Sequence, residues 1–227
     1  MRGSVDVDDC DFEGGVAGQA GALYLFLYAH LAARNSRFRG NTALSIANHS
    51  WASGTGGAVF LDRGWARFDN CTFEANVADL AGGAIYAWNV HGAYNGQALN
   101  VSISGGAFVA NGARTQWGGA LSNWHSTVLA TGSSFDANTA AVMGGALWTD
   151  AESTTNLTQC SWTVNNTAAA GPAVWSHPHG STSLAQHNTF VVDTQQQAAE
   201  AAEWFLQCTI EDGGLDVRVQ RDPNTAP

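Results

Sequence analysis

The sequence predicts an all-β chain wound as a parallel β-helix of about seven to eight coils, on three observations: a repeat, its length, and its short alternating segments. Five aromatics, Phe38, Phe73, Phe108, Phe135 and Trp162, are each followed three residues later by an asparagine: Asn41, Asn76, Asn111, Asn138 and Asn165. Each copy is paired in register with a small-residue triplet: Gly56-Gly57-Ala58, Gly82-Gly83-Ala84, Gly118-Gly119-Ala120, Gly144-Gly145-Ala146 and Gly171-Pro172-Ala173. The aromatics are spaced by 26 residues from Phe12 to Phe38, then 35, 35, 27 and 27, with 28 more to Phe190. Both long steps are accounted for by insertions near residues 44–53 and 89–97.

A period near 27 residues fits one solenoid coil of three short strands and three turns, since strands of about five residues are typical. Segments such as Leu99, Val101 and Ile103 alternate apolar with polar, the period of a strand and not of a helix. The aromatic of each copy is expected to stack on its neighbours at the roughly 4.8 Å spacing of adjacent strands. The asparagine falls at a corner, where its amide can bond the local backbone and the next asparagine in a ladder. The glycine pair permits positive φ and close packing of coils.

This pairing of GGA[ILV] with FxxN resembles the repeat of the chlamydial polymorphic outer-membrane proteins, over about residues 10 to 193. The resemblance implies a right-handed parallel β-helix of the pectin-lyase-like kind, a cell-surface or extracellular location, and adhesion as a class of function. The chain is expected to be part of a longer surface protein.

Residues 1–193 are read as the repeat array and 194–220 as a cap belonging to the same domain. TQQQAAEAAEWFLQC suggests a helix over 195–206 that would cover the last coil, followed by a final strand in LDVRVQ (215–220). Residues 221–227 read as a disordered tail.

Composition narrows the partners. Net charge is −10, and all nine basic residues are arginine, which disfavours nucleic acid and anionic membranes. No apolar run approaches the roughly 20 residues of a membrane helix. Cys10, Cys71 and Cys160 share one slot, two residues before the motif aromatic, and Cys208 stands likewise before Ile210. Cysteines two or more coils apart are separated by about 9 to 10 Å, beyond the roughly 7 Å limit for a disulfide, so free thiols are expected. The exception kept open is Cys160 with Cys208. Sequons at Asn48, Asn70, Asn100 and Asn156 are acceptors in a glycosylating host, whereas Asn165, as a ladder residue, is expected to be buried.

Function is sought on the strand after each glycine triplet. If Val59, Ile85, Leu121, Leu147 and Val174 point inward, then Phe60, Tyr86, Trp148 and Trp175 point outward, joined two residues on by Asp62, Trp88, Trp124, Asp150 and His177. Phe60, Tyr86, Trp88, Trp124, Trp148, Asp150, Trp175 and His177 would then form an aromatic stripe suited to a glycan or a cell-surface protein. The alternative is that these rings are packing residues beneath the inserted loops.

An enzyme is the competing class, because pectin-lyase-like β-helices include polysaccharide lyases and hydrolases. Its candidate groups are Asp62, Arg63, Arg67 and Asp69 in one coil, with Asp150 and Glu152 in another. They are scattered, and Asp62 with Arg63 reads as a solvated surface pair. His177, His179 and His187 are the only metal-like spacing and lack a carboxylate or thiolate companion. No catalytic residue, metal ligand or cofactor is therefore assigned. The reading adopted is a non-enzymatic structural or adhesive module, with a polysaccharide-active enzyme as the alternative.

Overall fold

The computed structural model describes residues 3–47, 53–89, 100–163 and 165–177, and the strands at 181–185, 189–192 and 218–221. It is a right-handed parallel β-helix with no helix among the described residues. The expected cap helix over 195–206 and the tail over 221–227 lie outside the described residues, apart from Arg221, which closes the final strand at Arg218–Arg221.

Each full coil contains four strands, not three. Strands four apart in sequence pair in parallel, giving stacked sheets of seven, eight, five and six strands. The first sheet begins with Ser4–Asp8 and His30–Arg34, and the second with Asp11–Glu13 and Arg37–Arg39. The third contains two-residue strands such as Val77–Ala78, and the fourth holds Val59–Asp62 and Ile85–Trp88. A two-residue strand carries no alternation to detect, which is why the sequence shows three strands per coil.

The core is a set of columns running along the axis. Phe12, Phe38, Phe73, Phe108, Phe135 and Trp162 stack nearly parallel, with centroids 4.8 Å apart at the first three steps, then 5.0 and 5.5 Å. Strand spacing imposes this distance, so Phe38, Phe73, Phe108 and Phe135 are each covered by a ring on both faces. Val59, Ile85, Leu121, Leu147 and Val174 face the same interior. A neighbouring inward column changes from Leu25, Leu61 and Ala87 to Asn123, Thr149 and Ser176. Asn123 donates to Thr155 Oγ1 at 2.9 Å, and Thr149 shares a hydrogen bond with Thr155 at the same distance, so most of this polar patch is satisfied internally.

The asparagine ladder forms, with one change of residue. Asn41 Nδ2 donates to Asn76 Oδ1 (3.0 Å), Asn76 to Asn111 (2.9 Å), Asn111 to Asn138 (3.0 Å) and Asn138 to Asn166 (3.0 Å). The fifth member is Asn166, which is buried, while Asn165 is exposed. In the other coils the residue before the ladder asparagine adopts positive φ, and it is Gly40, Ala75, Ala110 or Ala137. After Trp162 that position in the sequence is Val164, and a β-branched side chain strongly disfavours the left-handed region. The corner is one residue longer there, and the asparagine duty moves on by one.

The first glycine of each triplet has positive φ, 57–67° across the five copies. The second is needed for close approach, since a Cβ at Gly83 would lie 2.0 Å from the Gly119 carbonyl oxygen. Cys10, Cys71 and Cys160 are free thiols, and burial pushes the Cys71 and Cys160 thiols above their ordinary pKa. Cys208 lies outside the described residues.

Candidate functional site

The outer face of the fourth sheet carries the aromatic residues anticipated there, in register. Tyr24, Phe60, Tyr86, Ser122, Trp148 and Trp175 form one column, and Phe26, Asp62, Trp88 and Trp124 the next. Asp150 and His177 immediately follow the strands Leu147–Thr149 and Val174–Ser176. The expected parity is therefore correct.

The expectation of an open stripe is not. Phe60, Tyr86, Trp88, Trp148 and Asp150 are each at most 8% exposed. Phe60, Tyr86 and Trp88 form a second apolar cluster with Ala20 and Ala81, against which Leu80, Trp117 and Trp124 pack. Of the stripe, only Trp124, Trp175 and His177 remain half-buried. The outward face of this sheet thus carries an outer apolar cluster that includes Ala20 and Ala81, with Leu80 and Trp117 packed against it.

Trp117 was not singled out by sequence reasoning. It stands just before Gly118, where the other coils hold Thr55, Ala81, Met143 and Ala170. Ser122 interrupts the aromatic column between Tyr86 and Trp148, and Trp117 supplies the missing ring at that level. Its ring stacks on Trp148 at 4.8 Å and lies 5.6 Å from Trp124, which is itself 5.4 Å from Trp148. Among the described residues, the buried Trp148 Nε1 and Ser122 Oγ have no hydrogen-bond partner.

Two buried carboxylates punctuate this surface: Asp62 is hydrogen-bonded to a guanidinium, and Asp150 lies beside an imidazole without hydrogen-bond geometry between them. Asp62 Oδ1 receives Arg63 Nε at 2.8 Å, and the Tyr24 hydroxyl donates to Oδ2 at 3.3 Å. Asp62 is buried, so this is not the solvated surface pair expected. Arg63 also lies over the Phe26 ring, 5.5 Å from its centroid. Burial and then the Asp62 charge push the Tyr24 hydroxyl up to about 12.

Asp150 Oδ2 lies 2.9 Å from His125 Nε2, and Glu152 Oε2 lies 3.8 Å from His125 Nδ1. His125, also missed in the sequence, sits at a corner with φ of 52°, beside Trp124. Burial, followed by the Asp150 charge, raises the Tyr86 hydroxyl above its ordinary pKa. Arg67 pairs with Asp69 at 2.7 Å and lies away from both clusters, on the first sheet.

No group of three or more metal-ligating side chains occurs among the described residues, and His179 and His187 lie outside them. Of the sequons, Asn70 is exposed and Asn156 half-buried. Asn48 lies outside the described residues, and Asn100 begins a described strand. Asn165, expected to be buried, is exposed and therefore accessible. No helix among the described residues is long and apolar enough to cross a membrane.

Residues 70–87, the segment from the Asn70 corner through the Gly82-Gly83-Ala84 triplet to the strand Ile85–Trp88, match the family model of the Chlamydia polymorphic membrane protein repeat. No curated protein and no solved structure matches the chain.

Proposed function

We propose, from the repeat shared with the Chlamydia polymorphic membrane proteins, that the chain is a non-enzymatic β-helix module of a cell-surface protein with a structural or adhesive role. One observation supports an adhesive component: the rings of Trp124 and Trp175, with His177 nearby, are only half-buried, beside the buried Phe60, Tyr86, Trp88 and Trp148. Partly exposed rings on a rigid sheet suit contact with a sugar ring or an apolar protein side chain. The glycan or protein partner binds this margin, and Phe60, Tyr86, Trp88 and Trp148 hold it in place from below.

The polysaccharide-active alternative draws less support from the geometry. A glycosidase places two carboxyl groups about 5 to 9.5 Å apart across the scissile bond. Asp62 and Asp150 occupy one column three rungs apart, roughly 14 Å at the spacing of adjacent strands. Each also faces its own partner, Arg63 or His125.

A glycan-array and cell-surface binding assay of wild type beside a Trp124→Ala/Trp175→Ala variant tests the reading. Binding lost in a variant with unchanged far-ultraviolet circular dichroism supports recognition at this margin. A folded wild type that binds nothing leaves a structural spacer, and turnover of a bound oligosaccharide favours the enzyme.

A further inference from the structure

Asp150 is a buried carboxylate that the fold leaves short of donors. It is 8% exposed, and its Oδ2 has no hydrogen-bond partner although His125 Nε2 lies 2.9 Å away. Withdrawing a carboxylate from water costs free energy unless a cation or several donors replace the solvent. Elsewhere the chain supplies arginine: Arg34, Arg37, Arg39, Arg63, Arg67 and Arg114 each lie within ion-pair distance of an aspartate or glutamate. Among the described residues no arginine pairs with Asp150 or Glu152, and His125 lies between them, its Nδ1 3.8 Å from Glu152 Oε2.

The surroundings of this carboxylate are aromatic. The Asp150 backbone N–H donates to the Asn123 carbonyl at 2.9 Å, and that of His177 to the Thr149 carbonyl at 2.9 Å. Asp150 therefore stands in the column between Trp124 on one rung and His177 on the next. The adjoining column carries Trp148 and Trp175, stacked with centroids 6.0 Å apart, and the Trp124 ring lies 5.4 Å from Trp148. The cluster is reached from the surface: Trp124, Trp175 and His177 are half-buried, the Asp150 side chain keeps 12% of its area open, and that of Glu152 is 76% exposed.

Carboxylates beside the faces of tryptophan rings suit a protonated amine, whose charge both kinds of group attract. We infer, resting on the reading of the Trp124 and Trp175 margin as a recognition surface, that the glycan it takes is an amino sugar, with its protonated amine between the Asp150 and Glu152 carboxylates and its ring against Trp124 and Trp175. An acidic sugar is disfavoured there by the two carboxylates and by the net charge of −10. A neutral sugar offers hydroxyl donors but no charge to answer the carboxylates.

Isothermal titration calorimetry of the full 227-residue chain tests this by comparing a glucosamine oligomer with its fully N-acetylated counterpart of equal length, at a pH where the free amine is protonated. The expected result is binding of the glucosamine oligomer about tenfold or more tighter. Glu152→Gln, a surface change, should cut this preference several-fold, and Asp150→Asn should abolish it. Glu13→Gln, which removes the same charge from the second sheet, should leave the preference intact. An equal fall in Glu13→Gln reduces the effect to a general attraction toward an acidic chain and overturns the assignment, as does full preference retained in both Glu152→Gln and Asp150→Asn. Equal affinity of the wild type for the two oligomers overturns it too, with the Trp124 and Trp175 margin still standing as a binding surface. A folded wild type that binds neither oligomer overturns it together with the glycan reading of that margin.

Discussion

Asn76 donates its side-chain amide to Asn111 Oδ1 at 2.9 Å, while its backbone N–H reaches the same oxygen at 3.1 Å. The second Nδ2 hydrogen of Asn76 bonds the Phe38 carbonyl at 2.9 Å. Each internal ladder asparagine therefore uses both donors and both acceptor sites in a fully buried corner, and binds the coil on either side.

Replacing Asn111 by alanine orphans the Asn76 amide and backbone N–H and the Phe73 carbonyl together. At about 1 to 3 kcal/mol for each buried group left unsatisfied, Asn111→Ala should cost about 3 kcal/mol or more. Urea unfolding followed by circular dichroism reads this directly; a loss below about 1 kcal/mol would mean that the ladder adds little.

The corner before the ladder makes a prediction of opposite sign. Ala75, Ala110 and Ala137 adopt φ of 53–54°, where a Cβ costs roughly 1 to 2 kcal/mol. Part of this returns as the greater freedom of unfolded glycine, so each Ala→Gly substitution should stabilise by up to about 1 kcal/mol. Gly83→Ala should prevent folding, because its Cβ meets rigid backbone on the next coil. Thermal melts of the four variants check both signs.

Tyr24 gives a pH signature. Its hydroxyl is raised from 10.0 to about 12 in the folded protein, by burial first and the Asp62 carboxylate second. An acid whose folded pKa is raised favours the folded state while protonated. Its contribution is complete below pH 10 and is lost as pH climbs toward 12. In a tyrosinate absorbance titration, Asp62→Asn should move this phase to lower pH and Tyr24→Phe should abolish it; an unmoved phase in Asp62→Asn would contradict the Tyr24–Asp62 contact.

Trp117 and Trp124 should separate packing from recognition. Trp117→Ala removes the ring stacked on Trp148 and should destabilise by about 2 kcal/mol, somewhat less than a fully buried tryptophan, while increasing acrylamide quenching of the remaining tryptophans. Trp124→Ala should cost less stability and more binding. Equal losses of stability would place both rings in the same packed layer.

The repeat carried most of the fold into view. Phe38, Phe73, Phe108 and Phe135 repeat because each must lie on the next, and the glycine triplets repeat because each second glycine touches the next carbonyl, so both constraints write themselves into every coil. What failed to show was local or long-range. The ladder passes to Asn166 and not Asn165 after Trp162, where the sequence has a β-branched Val164 in place of the Gly or Ala found in the other coils, a difference that a motif of fixed spacing conceals. Alternation gave the direction of Phe60 and Trp148 but not their cover, because period two separates the faces of a sheet without saying what packs on either. His125 and Trp117 sit at corners with no counterpart of the same residue type in other coils, so no repetition marked them.

Side-chain amide hydrogen exchange, followed by nitrogen-15 NMR, tests the central architecture most directly. The Nδ2 protons of Asn76, Asn111, Asn138 and Asn166 should exchange only as the β-helix opens, while those of Asn165, exposed and bonded only to Asp136 at the surface, exchange much faster. Rapid exchange at Asn111, or protection of Asn165 with exposure of Asn166, would contradict the stacked ladder and the register of the coils that depends on it.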